Sequence, residues 1–184
     1  MIKKLEDMSD QERWQLFPVI LTKHNPNWQH KYLKQKVLLE KAIGIEQIKS
    51  IHHIGSTAIP GLISKPTIDI LLEVERETNL PELISSMKKA GYRYCHVQHN
   101  PAPHVMFIKG YTPQGFKGQA FHVHIRYPDD WDEIVFRDYL LRHPEFAADY
   151  GKLKIALQKQ FEHDRDAYTQ GKTEFITGIC KRAQ

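Results

Sequence analysis

The residues best suited to chemistry fall in two short strings. The first, residues 53–70, reads H-I-G-S-T-A-I-P-G-L-I-S-K-P-T-I-D-I. Gly55 lets the backbone turn sharply where a Cβ would clash. Ser56, Thr57 and the amides after them can aim hydrogen-bond donors at one spot, the arrangement that receives a phosphate. Downstream, Asp69 offers a carboxylate suited to Mg²⁺ or another divalent cation, and Lys65 a positive charge to neutralise phosphate oxygens. Asp69 and Ser56 are therefore the candidate catalytic residues, with Gly55, Ser56, Thr57 and Lys65 placed around the phosphates.

The second string, residues 121–126, is F-H-V-H-I-R. Strand alternation puts His122, His124 and Arg126 on one face and Phe121, Val123 and Ile125 on the other. Three readings compete. The polar residues can simply face solvent, or the two imidazoles can join Asp69 around a transition metal, since His-x-His on a strand converges two nitrogens. The third reading, preferred here, has them hydrogen-bond the phosphates or base of a bound nucleotide.

Strands and helices must hold these strings in place. Ile48, Ile51 and Ile54 mark a strand running into Gly55. Pro60 and Gly61 punctuate the loop, and Pro66 steers Lys65 away from helical geometry. From Thr67 the pattern alternates: Ile68, Ile70, Leu72 and Val74 share one face, and Thr67, Asp69, Leu71 and Glu73 the other. Upstream, Ser9 and Asp10 cap a short helix to residue 16. A longer helix over 28–43 puts Trp28, Tyr32, Leu39 and Ile43 on a face widened by Val37 and Leu38. Downstream come a helix over 80–90, a strand over 92–96, a loop Q-H-N-P-A-P-H, a strand over 105–108, and a hairpin turn G-Y-T-P-Q-G returning over 120–127. From Asp129 the chain reads as helices over 129–141, 145–161 and 164–183. Lys154, Lys172 and Arg137 lie beside apolar stripes where these helices could close over a ligand. Arg137 and Lys172 join the nucleotide-binding candidates, whereas Lys154 and Glu73 receive no role. The expected fold is α+β, a mixed sheet with flanking helices, in one domain over 1–184. Its sheet core spans 1–128 and its helical region 129–184.

The first string resembles the signature of the GrpB family of small bacterial proteins, as do the later strings F-R-D-Y-L, Y-x-x-L-K and Y-T-x-x-K-x-x-F-I. Arg137 and Lys172 each belong to one of them. That family in turn resembles the nucleotidyltransferase superfamily of the DNA polymerase β type. The superfamily pattern is a strand, Gly-Ser, a loop, then Asp-x-Asp on the next strand. The resemblance implies a nucleotidyltransferase-like fold that binds a nucleotide or phosphorylated small molecule, with Mg²⁺-dependent nucleotidyl transfer as the open enzymatic question. Gly55, Ser56 and Asp69 match the pattern, but its second acidic position is Leu71. Glu73 lies about 7 Å further along the strand and does not simply replace it. Two alternatives follow from that departure. One is a non-catalytic accessory domain that has lost the two-metal site, as implied by GrpB-like domains attached to dephospho-CoA kinase and linked to its folding. The other is a single-metal hydrolase using Asp69, His122 and His124.

A formal charge of +4 and a pI near 8.9 suit an anionic ligand but fall short of a dedicated nucleic-acid binder. The two cysteines, Cys95 and Cys180, are far apart, so a reducing cytoplasm is expected rather than a disulfide framework. No apolar run approaches membrane-spanning length. The oligomeric state is left open.

Overall fold

Alternation along residues 67–74 decides the architecture, because it gives one strand an apolar face and a polar one. The computed structural model describes residues 3–97 and 100–183. The chain runs through α1 (Asp10–Leu16), α2 (Asn27–Ile43), β1 (Ile48–Ile54), β2 (Thr67–Val74), α3 (Leu80–Lys89) and β3 (Arg93–His96). It continues through β4 (Val105–Thr112), β5 (Gly115–Arg126), α4 (Asp132–Arg142), α5 (Pro144–Phe161), α6 (Arg165–Gln170) and α7 (Thr173–Ala183). The strands form one mixed sheet in the order β1-β2-β5-β4-β3. Among the described residues the central β2–β5 pair alone is parallel, and its neighbours are antiparallel. This is the α+β class expected from the sequence.

The apolar face packs on α2 and α3. Ile68, Ile70, Leu72 and Val74 of β2, with Phe121, Val123 and Ile125 of β5, meet Trp28, Tyr32, Leu39 and Ile43 of α2 and Leu83 and Met87 of α3. The buried stripe of α2 is narrower than its composition implies. Val37 and Leu38 face outward, and the polar Gln35 takes the place between Tyr32 and Leu39.

The polar face carries Asp69, His122 and His124 and is approached by the C-terminal helices. Phe136 and Leu140 of α4, Ala147 and Tyr150 of α5 and Ile179 of α7 pack on Ile59 and Leu62, which lie in the loop after β1. The N-terminal segment laces this loop to α5. Thr22 exchanges main-chain hydrogen bonds with Ser64, and Val19 N–H donates to the carbonyl of Glu162 at 2.8 Å. Among the described residues, no helix is long and apolar enough to cross a membrane.

Several expected boundaries shift. The helix expected over 129–141 begins only at Asp132, and the hairpin tightens to a turn at residues 113–114. The helix expected over 164–183 is two helices, broken at Gly171 and Lys172. Gly171 is a weak helix former, as is Gly178, which α7 nonetheless accommodates. Gly171 also packs so closely that an added Cβ would stand 2.5 Å from Leu157 Cδ2. Gln98 and His99 of the Q-H-N-P-A-P-H loop lie outside the described residues.

His53 ties the end of β1 to its surroundings. Its ring stacks on Tyr32 at 4.8 Å, Nδ1–H donates to Gln29 Oε1 at 3.1 Å, and Nε2 accepts from Thr57 Oγ1 at 3.0 Å. Burial pushes its pKa down to about 4, so the ring is neutral in the native protein at neutral pH. The unfolded chain takes up this proton near pH 6.5, where the folded chain does not. The contribution of His53 is therefore complete above that pH and is lost as pH falls toward about 4. The full swing is on the order of 3 kcal/mol. Thermal unfolding followed by circular dichroism should show that His53→Asn flattens the acid-side fall of Tm; an unchanged slope would show that His53 does not carry it.

Candidate functional site

The floor of the site is built where β1 ends beside β2 and β5. Gly55 leaves β1 with φ +70°, a left-handed conformation that glycine adopts at least cost. An added Cβ at Gly55 would stand 2.7 Å from Asp69 Oδ2, so the carboxylate itself needs the missing side chain. Ser56 opens a short 3₁₀ turn, Ser56–Ala58, and lines the cleft. The Thr57 hydroxyl is turned to the interior rather than to the cleft: the side chain is buried and the hydroxyl is committed to His53.

Parallel pairing sets Asp69 beside His122 and Leu71 beside His124. His122 Nδ1–H donates to Asp69 Oδ1 at 3.1 Å, and His122 Nε2 accepts from Tyr111 OH at 2.8 Å. His124 Nε2 lies 3.9 Å from the same Asp69 oxygen. One suitable donor atom from each of the three residues lies within 4.8 Å of the others. Burial opposes the ionised form of Asp69, but the adjacent imidazoles outweigh it and hold the carboxyl well below the usual carboxylate range. Burial pushes His122 down, with Asp69 offsetting only part of the effect, so the ring donates as a neutral imidazole.

The other side of the cleft is cationic. A cavity of about 190 Å³ brings Ser56, Asp69 and His122 together with Lys65, Lys154 and Lys172, closed by Tyr150 and Tyr168. Lys154 is fully buried; its ammonium donates to the Ile63 carbonyl and stands 4.8 Å from the Tyr150 ring centre. Lys172 and Lys65 lie 4.7 and 5.2 Å from the Tyr168 ring centre. Burial, then neighbouring positive charge, lowers Lys65 and Lys154 to about 7. Lys172 falls to about 8 through burial, partly offset by Asp69. Lys65 and Thr67 also line a second cavity of about 150 Å³, whose walls include Pro18, Ile20, Pro66, Phe116 and Arg165. A larger apolar groove of about 540 Å³ lies between residues 59–63 and α4–α5, but Lys152 is its one charged lining residue.

Two expected site residues lie elsewhere. Arg126 sits beside Glu73, four residues along from the Asp69 row, or about 13 Å. It is buried against Trp131 and paired with Glu133 at 3.5 Å, so it is a structural cation rather than a phosphate ligand. Arg137 donates through Nη1 to the His53 carbonyl at 3.0 Å and pairs with Asp138, which ties α4 to β1 outside the cleft. Glu73 is also spoken for. It accepts from Ser50 Oγ, from the Asp129 amide and from Trp131 Nε1. Leu71 is fully buried. Among the described residues, Asp69 therefore has no partner carboxylate, and a pair of carboxylate-clamped metal ions does not fit this floor.

The sequence reading missed Tyr111, Tyr150 and Tyr168 and assigned Lys154 no role. A signal was there: Tyr150–Lys154 and Tyr168–Lys172 are both Y-x-x-x-K, a spacing that stacks a lysine on a tyrosine one helical turn away.

A family model described as GrpB protein matches residues 18–182. The glutamate-rich protein GrpB of Alkalihalophilus pseudofirmus is 37% identical over 165 residues, 88% of this chain and 93% of that one. A UPF0157 protein of Pseudomonas aeruginosa is 33% identical over 176 residues, 95% of this chain and 69% of that one. The crystal structure of the conserved protein GrpB from Enterococcus faecalis superposes with a TM-score of 0.77 at 30% identity, covering 89% of this chain and 96% of that one.

The Gly55–Asp69 contact can be tested against an internal control. Gly61 has φ +76° but nothing within 4 Å of an added Cβ, so Gly61→Ala carries backbone strain alone, about 1–2 kcal/mol. Gly55→Ala adds the collision with Asp69 and should cost more in urea unfolding, with Asp69→Ala in the same chain recovering the difference. Equal costs at the two glycines would show that the carboxylate does not depend on Gly55.

Proposed function

The chain belongs to the GrpB family, and we propose that it binds a phosphorylated small molecule, in the first instance a nucleotide, with the phosphates in the lysine-lined cleft. One observation carries this reading: three lysines converge opposite a single carboxylate in one small cavity. Crowding ammonium groups away from water is unfavourable, as their lowered pKa values express. A multiply charged anion between them relieves both the desolvation and the mutual repulsion.

Each residue then has a task. Lys65 and Lys172 meet the phosphate oxygens from the open side, and Lys154, held by Ile63 and Tyr150, supplies fixed positive charge behind them. Ser56 adds a hydroxyl at the end of β1. Asp69 is the anchor for a divalent cation on the side away from the lysines. The neighbouring slot supports a nucleotide over a bare phosphate, since Phe116, Pro18 and Ile20 give a flat base apolar walls next to the phosphate site. Nucleotidyl transfer through two metal ions is not part of the proposal, because the second carboxylate is wanting. A reducing cytoplasm is the setting in which such a ligand is plentiful, and neither a membrane nor a nucleic acid is required as partner.

Calorimetric titration with pyrophosphate, nucleoside mono-, di- and triphosphates and free nucleosides tests the reading. Pyrophosphate-bearing ligands should bind, and Lys65→Met and Lys172→Met should each weaken them about tenfold or more, the worth of one charge-assisted hydrogen bond. The protonated lysine is the binding form, so affinity should fall as pH rises through about 7 to 8. If no phosphorylated ligand binds, or both variants bind like the parent, the accessory-domain reading takes its place.

A further inference from the structure

We propose that Asp69, His122 and His124 form a site for one transition-metal ion of the zinc type, with open coordination positions facing the lysines. This departs from the Mg²⁺ pair that the superfamily resemblance implies. It rests on the anion-binding reading only for what fills the open positions.

The donor set decides the class of metal. Two imidazole nitrogens and one carboxylate oxygen suit Zn²⁺, Fe²⁺, Co²⁺ or Ni²⁺, whereas Mg²⁺ takes oxygen ligands and keeps its waters. Spacing agrees. A tetrahedral ion with bonds of about 2.0–2.1 Å holds its ligand atoms about 3.3 Å apart. The Asp69 oxygen lies 3.1 Å from His122 Nδ1 and 3.9 Å from His124 Nε2, values on either side of that edge length. Two of the three edges are thus close to those of a coordinating floor, and all three donor atoms lie within 4.8 Å of one another.

Two further observations point the same way. His122 is held from behind: Tyr111 OH lies at 2.8 Å from Nε2, and an ion at Nδ1 would replace the proton there, so that Nε2–H donates to the phenolic oxygen instead of accepting from it. A partner on the far nitrogen is the usual companion of a metal-bound histidine. The His124 ring, by contrast, is four-fifths buried with no side-chain hydrogen bond among the described residues; Nδ1 is its buried, unpartnered nitrogen, and Nε2 is the one 3.9 Å from Asp69. A largely buried imidazole that makes no bond within the protein is costly as a structural element. Coordination through Nε2 would give the ring one partner, with the proton carried on Nδ1. The three groups come from adjacent strands of a packed sheet, so their positions are held by the backbone rather than by flexible loops.

Three protein ligands on one side leave the remaining positions to the cavity that holds Lys65, Lys154 and Lys172. A phosphate oxygen entering there would meet the ion on one side and the ammonium groups on the other. Metal and anion should therefore strengthen one another's binding reciprocally.

The test uses the full chain, stripped with a chelator and dialysed against Zn²⁺, Co²⁺ or Mg²⁺, with bound metal counted by mass spectrometry. One equivalent of Zn²⁺ or Co²⁺ should be retained, and roughly thousandfold excess Mg²⁺ should not displace it. The Co²⁺ form should show the visible absorption of a nitrogen-ligated, low-coordinate ion. Asp69→Asn and His124→Asn should each lose the equivalent, His143→Asn should keep it, and Tyr111→Phe, a positioning change, should weaken it about tenfold. Metal-free circular dichroism of each variant separates lost ligation from lost folding. Should a ligand variant prove unfolded, the Co²⁺ spectrum of the parent decides alone, and all-oxygen octahedral bands or no uptake would overturn the inference. Displacement by Mg²⁺, or retention of the ion by folded Asp69→Asn or His124→Asn, would overturn it too. Pyrophosphate titration of the metal-free protein keeps the readings apart: binding without metal uptake sinks only the metal site, and uptake without pyrophosphate binding sinks only the proposed function.

Discussion

The parallel pairing of β2 with β5 is the constraint on which the cleft depends. It keeps the two strands in phase, so that Asp69 and Leu71 stand beside His122 and His124. Parallel neighbours need a crossover connection, and the chain supplies one through α3, β3 and β4. A slip of one residue would turn His122 and His124 into the α2–α3 core and bring Val123 into the cleft. What forbids the slip is apolar. Ile68, Ile70, Leu72, Val123 and Ile125 are fully buried on the other face, each worth about 1.5–3 kcal/mol in burial. One face of the sheet thus sets the geometry of the other.

The two kinds of cation in this protein show the difference between a structural charge and a poised one. Arg126 is buried with an acidic partner, Glu133, and an aromatic plane, Trp131. Lys65, Lys154 and Lys172 share tyrosine faces and one main-chain carbonyl, with no salt bridge to any carboxylate among the described residues. An arrangement that lowers stability in the absence of a ligand is commonly found where a ligand is to be held.

Strand alternation was legible in the sequence wherever one face is buried, which is why residues 67–74 and 121–126 could be assigned to faces in advance. The closeness of Asp69 to the histidines was less so, since it needs the strand order as well as the alternation. Arg126 shows the limit: alternation places it on the right face, yet four residues along a strand remove it from the site. The side chains of Thr57 and Arg137 are drawn away from the cleft for a related cause. Each has a polar side chain beside the signature residues, but His53 takes the hydrogen bond of one at its ring and of the other at its carbonyl. Tyr150 and Tyr168 were hidden because a buried aromatic on a helix reads as core, and only tertiary packing turns its edge toward a cavity. The single helix expected over 164–183 failed at Gly171, where closeness to Leu157 leaves no room for a side chain.

The floor of the cleft comes from residues 55–122 and its roof from residues 150–172. Read as an order of synthesis, the sheet is complete at Arg126 while every roof residue has yet to emerge. A chain at that stage shows bare imidazoles and a carboxylate, and has Lys65 alone of the three lysines to offer an anion. An anion of the proposed kind would find Lys154 and Lys172 in place only once these later residues have docked. A molecule held there would act as a clasp between early and late parts of the chain, joining the sheet to α5 and α6.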